Sequence, residues 1–125
     1  MIVGLGIDLV DTERVARELS LERWHPASGI FTAAEISYCG AGRQPERRFA
    51  ACFAAKEATL KALGADIADL GMFREVEVRS DRGGECAVRL RKRVLTLARR
   101  SGTRSINLSV AVRKRNAVAL VILES

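Results

Sequence analysis

The sequence predicts an α+β domain in which an antiparallel sheet packs against one long helix. Three observations carry this. Residues 2–10 and 105–123 alternate or run apolar as strands do, and residues 47–64 hold apolar side chains at helical spacing. A further alternating pair near 74–90 has the form of a hairpin. The predicted order is β-α-α-α-β-β-α-β-β over a single domain spanning 1–125.

In the first strand, "IVGLGIDLV", Val3, Leu5, Ile7 and Leu9 share one face and Gly4, Gly6 and Asp8 the other. The second face is therefore bare backbone ending in a carboxylate. Asp11 and Thr12 are N-cap candidates for a short helix to about Leu19. "TAAE", Thr32 to Glu35, has the form of a capping box and starts a helix ending near Cys39–Gly40. "GAGRQP" is a loop, and Pro45 suits the first turn of the long helix, which Gly64 stops. "REVEVRS" (Arg74 to Ser80) and "CAVRL" (Cys86 to Leu90) flank a turn as a hairpin. Leu90, Val94, Leu97 and Ala98 form the apolar face of a helix running to about Arg100, with Gly102 as its stop. "SINLSVAV" and "AVALVIL" are two more strands, the last so apolar that it should be central or covered on both faces.

Composition, at 48% hydrophobic and 29% charged, is that of a soluble globular protein, without an apolar run near the ~20 residues that cross a bilayer. "MIVGLGIDLV" lacks a basic leader and reaches Asp8 too early for a signal peptide. Cys39, Cys52 and Cys86 fit no metal knuckle and are expected as free thiols in the cytoplasm. The net charge is +6, and after Glu85 no acid appears until Glu124. Ten cations lie between: Arg89, Arg91, Lys92, Arg93, Arg99, Arg100, Arg104, Arg113, Lys114 and Arg115. They suit an anionic partner or a solvated face. Nucleic acid is not the expected partner, since this stretch has no aromatic residue to stack on bases.

In "RRFAACFAAKEATLKALG", Phe49, Cys52, Phe53, Leu60 and Leu63 share one helical face, yet Lys56 falls within it and Glu57 at its edge. Asp8 reads either as a turn-initiating residue or as one of two acids, with Glu57, that share a hard cation if strand and helix pack together. Mg²⁺ is commonly held by one or two carboxylates, waters and phosphate oxygens. Lys61, one turn beyond Glu57, either forms an i,i+4 ion pair or binds phosphate.

"GIDLVDTERV" (Gly6 to Val15) followed by "FAAKEATLKALG" (Phe53 to Gly64) resembles the paired signatures of the phosphopantetheinyl transferase superfamily. These are a G-x-D with Arg six residues after the Asp, and an aromatic-x-x-K-E-A-x-x-K. Length and the "AVALVILE" ending resemble its short, single-domain holo-(acyl-carrier-protein) synthase branch. The resemblance implies a homotrimer with active sites between subunits. It implies transfer of 4′-phosphopantetheine from coenzyme A to a serine of an acyl carrier protein, with release of adenosine 3′,5′-bisphosphate. By the same resemblance, Asp8 and Glu57 hold Mg²⁺, Glu57 helps deprotonate the serine, and Lys61 neutralises phosphate charge. Lys56, Arg48 and Gly64 are then expected at the cofactor, with Lys56 facing a neighbouring subunit, and Arg14 and Arg17 at the carrier protein.

The chain departs from the family pattern at four places. Cys52 stands where an Arg usually reads the cofactor's 3′-phosphate, leaving Arg48 or Arg43 as the expected substitute. "GAD" (Gly64 to Asp66), "GEC" (Gly84 to Cys86) and Ala111–Val112 replace a Gly-Thr-Gly-like loop, a Gly-Lys-Pro and a Ser-His. His25 is expected at the surface. The alternative reading is a repurposed scaffold that binds a carrier protein or its phosphopantetheine arm without transferring it.

Overall fold

The computed structural model describes residues 1–22, 29–81, 83 and 85–125, so His25 and Gly84 lie outside the described residues. The chain runs β1 (Ile2–Asp11), α1 (Thr12–Ser20), α2 (Ala33–Gly40) and α3 (Pro45–Ala62). A 3₁₀ segment, Leu70–Glu75, leads into β2 (Val76–Ser80), β3 (Cys86–Leu90), α4 (Lys92–Arg100), β4 (Ser105–Val112) and β5 (Asn116–Glu124). β5 is the centre of an antiparallel sheet ordered β1-β5-β4, and β2 and β3 form a separate antiparallel hairpin.

Local chemistry accounts for the boundaries. Asp11 caps α1, its carboxylate accepting from the backbone N–H groups of Glu13 and Arg14. Thr32 and Glu35 form the expected capping box on α2. Pro45 occupies the first turn of α3, and Gly64, at φ +66°, takes the left-handed conformation just past its end. Gly102, at φ +77°, does the same after α4.

Two boundaries differ from the sequence expectation. Arg74 and Glu75 end the 3₁₀ segment rather than open β2, because Glu75 is engaged by α4. Its carboxylate accepts from the Arg93 backbone N–H at 2.8 Å and from the Arg93 guanidinium, closing the otherwise uncapped start of that helix. Leu90 ends β3, paired with Val76, and so cannot belong to the apolar face of α4, which buries Val94 and Ala98.

Helix α3 is the axis of the core. Phe49, Ala50, Cys52, Ala54, Ala55, Lys56, Ala58, Thr59 and Leu60 are all buried, and at about 100° per residue they point in every direction around the helix. A helix covered all round is interior, not amphipathic. The glycine face of β1 lies directly on it. A Cβ at Gly6 would stand 1.9 Å from the Ala58 carbonyl oxygen, and one at Gly4 2.3 Å from that of Ala62. Any side chain there would force strand and helix apart.

The opposite face of β1 is open: Leu5, Ile7 and Leu9 are 62, 61 and 64% exposed. The register places them beside Ile122, Leu120 and Val118 of β5, so an apolar sheet face is left uncovered in the single chain.

Lys56 corrects an expectation. It does not face a cofactor or a neighbouring subunit. It is fully buried, donating to Glu35 Oε1 at 2.5 Å and to the Val76 carbonyl at 2.6 Å. Glu35 is equally buried and also accepts from the backbone N–H groups of Thr32 and Val78, each at 2.8 Å. One ion pair thus ties α2, α3 and β2 together. Removing one partner of a buried pair strands the other charge and typically costs about 3–5 kcal/mol. Lys56→Met is expected to lower unfolding free energy by about that amount in urea titration; a loss below about 1 kcal/mol would mean that the pair is not what secures α2.

Candidate active site

Asp8 leaves β1 on the glycine face and meets α3 where Glu57 and Lys61 project. Its carboxyl is 8% exposed, and Lys61 Nζ donates to Oδ1 at 2.8 Å. Among the described residues, Asp8 Oδ2 is a buried side-chain oxygen with no hydrogen-bond partner. A buried carboxylate oxygen without a donor is costly, and costs least where a cation can reach it.

Glu57 is half-buried beside Asp8. Burial first, and then the neighbouring Asp8 carboxyl, push its carboxyl up from 4.5 to about 7, against the pull of Lys61 and Arg14. Since Asp8 Oδ2 accepts no hydrogen bond, the two acids act on one another through proximity of charge more than through a formed bond. Lys61 is held up from its ordinary value, chiefly by the hydrogen bond to Asp8. Strand, central helix and α1 thus bring together Asp8, Glu57 and Lys61, with Arg14 near enough to act on Glu57. Arg17 is exposed further along α1.

The other predicted residues lie elsewhere. Arg48 and Cys52 are roughly 180° around α3 from Glu57 and Lys61, in a groove of about 680 Å³ that Arg43, Arg47 and Tyr38 also line. Arg48 Nη1 donates to the Tyr38 carbonyl at 2.8 Å, and its guanidinium stacks 4.4 Å over the Tyr38 ring. A Cβ at Gly42 would stand 2.8 Å from Arg48 Nε, so this glycine gives the guanidinium its place. Cys52 is 5% exposed, its thiol pushed well above the ordinary range by contact with Cys39 first and burial second. Gly64 ends α3 three residues beyond Lys61, with open space beside it.

Three features go beyond what the sequence predicts: the partnering of Glu35, the open apolar sheet face, and Arg47 in the groove. The alternation of β1 holds a signal for the second, since a strand with bare backbone on one face must present its aliphatic side chains on the other.

This architecture of a two-carboxylate and lysine site on a helix-centred α+β fold has a known family. Residues 4–120 match the 4′-phosphopantetheinyl transferase superfamily, and the chain belongs to it; it is a transferase. Within that superfamily it is 40% identical to the holo-(acyl-carrier-protein) synthase of Vibrio atlanticus, over 99% of this chain and 98% of that one. It is 37% identical to that of Koribacter versatilis over 99% of both chains. Among solved structures, the holo-(acyl-carrier-protein) synthase of Neisseria meningitidis superposes over 100% of both chains with a TM-score of 0.83 at 27% identity. That of Bacillus anthracis, in complex with CoA (3′,5′-ADP), covers 100% of this chain and 98% of its own with a TM-score of 0.78 at 31% identity.

The raised Glu57 carboxyl sets a pH dependence of stability. Ionisation opposes folding, so its penalty is absent below about 4.5, grows as pH rises toward 7 and levels off beyond. The full shift corresponds to about 3 kcal/mol, which solvent screening of a half-exposed group reduces to about 1–2 kcal/mol. Without divalent cations, Glu57→Gln is therefore expected to be more stable than wild type at about pH 8 by that margin and equal to it near pH 4.5. Urea unfolding at both pH values checks this; the same gain at both would assign it to packing.

Proposed function

We propose that the chain transfers 4′-phosphopantetheine from coenzyme A to a serine of an acyl carrier protein, releasing adenosine 3′,5′-bisphosphate. The observation that carries this reading is the convergence of Asp8, Glu57 and Lys61, with Asp8 Oδ2 buried and unpartnered. Two adjacent carboxylates with a free oxygen fit a hard divalent cation of the Mg²⁺ kind, which when bound would neutralise charge on the pyrophosphate. Among the described residues no group of three or more His, Cys, Asp or Glu could hold a metal, so water and phosphate oxygens would complete the shell.

In the transfer, the serine Oγ attacks the phosphorus that bears the pantetheine arm. Its proton passes to Glu57, directly or through a water. The bond to the bridging oxygen breaks and adenosine 3′,5′-bisphosphate leaves with the negative charge, which Lys61 meets. A scaffold that only bound a carrier protein would have no use for apposed carboxylates beside a lysine, which favours transfer over the repurposed reading. No helix among the described residues is long and apolar enough to cross a membrane, and Cys39, Cys52 and Cys86 form no disulfide, as suits a reducing cytoplasm.

Mass spectrometry of apo acyl carrier protein incubated with coenzyme A, Mg²⁺ and the enzyme is expected to show addition of one phosphopantetheine. Asp8→Ala is expected to lower the rate at least about 100-fold while leaving thermal unfolding nearly unchanged. Undiminished transfer by Asp8→Ala, or in excess EDTA, would remove the cation from the reading.

The site is further proposed to lie between subunits of a homotrimer. The open face of Leu5, Ile7 and Leu9 supplies an apolar surface for self-association. Arg48 stands on the far side of α3 from Asp8. One extended cofactor would therefore reach both through adjacent chains, its pyrophosphate on one and its 3′-phosphate at Arg48 or Arg43 of the next, with the two grooves abutting.

Complementation tests this arrangement. Asp8→Ala and Arg48→Glu subunits, each inactive alone, should recover activity at about a quarter of their sites when co-expressed, the share expected for random mixing in a ring. Ile7→Glu should yield an inactive monomer by sedimentation. No recovery from mixed subunits, or an active monomer, would place the whole site in one chain.

A further inference from the structure

Two of the three thiols face each other across α2 and α3. Lys56 Nζ meets Glu35 Oε1 at 2.5 Å, and just past the end of α2 a Cβ at Gly42 would stand 2.8 Å from Arg48 Nε. The two helices therefore run in opposite senses, with position 35 beside 56 and position 42 beside 48. One turn on from Glu35 is Cys39, and one turn back from Lys56 is Cys52. The register sets these two side chains opposite one another, between the two observed contacts. They are 1 and 5% exposed, and contact with Cys39 is the chief cause of the raised Cys52 thiol.

Both cysteines line the groove that holds Arg43, Arg47 and Arg48, so a small molecule entering the groove reaches them. Tyr38 precedes Cys39 and anchors Arg48 through its carbonyl and its ring. A bond made at Cys39 therefore acts on that anchor as well as on the helix. Cys86 lines the groove from β3, where its sulfur lies 3.4 Å from the Ser80 hydroxyl oxygen.

Resting on the transferase reading for its effect on transfer, we propose that Cys39 and Cys52 are oxidised by peroxide to a disulfide that locks α2 to α3. The lock weakens the groove's hold on the phosphorylated nucleoside end of coenzyme A. In the first step the Cys52 sulfur attacks hydrogen peroxide. The O–O bond breaks, an S–O bond forms and water leaves, giving a sulfenic acid. The Cys39 sulfur then attacks that sulfur; the S–O bond breaks, the S–S bond forms and a second water leaves. The two thiols lose two electrons and two protons, which the peroxide gains. Thiolate is the attacking form, so the raised Cys52 thiol makes the first step slow, and the pair answers sustained peroxide. Bond formation draws the last turn of α2 onto α3. Tyr38 moves with it, and Arg48 is carried out of the place that Gly42 leaves for it.

The test treats the full chain with excess hydrogen peroxide and then removes the oxidant. Mass spectrometry is expected to show the loss of two hydrogens and, after proteolysis without reductant, the Cys39 peptide joined to the Cys52 peptide. The oxidised protein should show a KM for coenzyme A and a calorimetric Kd for adenosine 3′,5′-bisphosphate each raised roughly tenfold, and dithiothreitol should restore both. Cys39→Ala, and separately Cys52→Ala, should hold their own KM and Kd through peroxide treatment, whereas Cys86→Ala should respond as wild type does. Two single variants keep the test open should one of them fail to fold. A crosslink that includes Cys86, no crosslink at all, or a Cys39–Cys52 crosslink with KM and Kd unchanged would overturn the proposal. If reduced wild type binds the bisphosphate but transfers nothing, the transferase reading fails, while the peptide map and the Kd still decide the switch. If it does not bind the bisphosphate either, both fail.

Discussion

The carbonyl oxygens of Ala58 and Ala62 occupy the space that side chains at positions 6 and 4 would need, so β1 and α3 meet backbone to backbone. This contact has no side-chain layer to absorb error. It fixes the height of the strand against the helix, and with it the position of Asp8 relative to Glu57 and Lys61. The alanines around α3 extend the same close approach to the rest of the sheet, where Ala117 and Ala119 of β5 are fully buried. Small residues on both partners thus build the core, and the acids stand at its margin because the contact ends there.

Two ion pairs on α3 show how surroundings divide the work of one residue type. Lys56 and Glu35 are wholly enclosed, Lys56 donating to Glu35 and to the Val76 carbonyl, and Glu35 accepting also from the backbone N–H groups of Thr32 and Val78. Neither is open to a ligand. Lys61 is 40% exposed, and Asp8 keeps one oxygen without a hydrogen-bond partner among the described residues. That pair is incomplete within the chain, which is the state expected of groups that bind something else.

The order of elements is legible in the sequence because caps, strand alternation and helix-stop glycines are local signals. Asp8, Glu57 and Lys61 are legible too, since their spacing fits a motif and the glycine face of β1 demands a close neighbour. Lys56 is not. On a helical wheel, a lysine within an apolar stripe looks the same whether it reaches a subunit boundary or an internal carboxylate, and its partner lies 21 residues away on another helix. The start of the hairpin is hidden for a similar reason. The alternation of Arg74 and Glu75 is compatible with a strand, but the demand of α4 for a cap, 18 residues on, decides their conformation. Such long-range demands leave no mark on local periodicity.

The enclosed pair of Glu35 and Lys56 also bears on how this sequence can diverge. Matched apolar side chains in place of a buried ion pair can be as stable as the pair itself. Reaching them takes two substitutions in separate helices, and each alone leaves a naked charge in the core. Against the ~5–15 kcal/mol margin usual for a domain, either single step removes a large share and is tolerated best after stabilisation elsewhere. The pair is thus held in place by the cost of the one-step routes away from it, in addition to whatever it contributes where it stands.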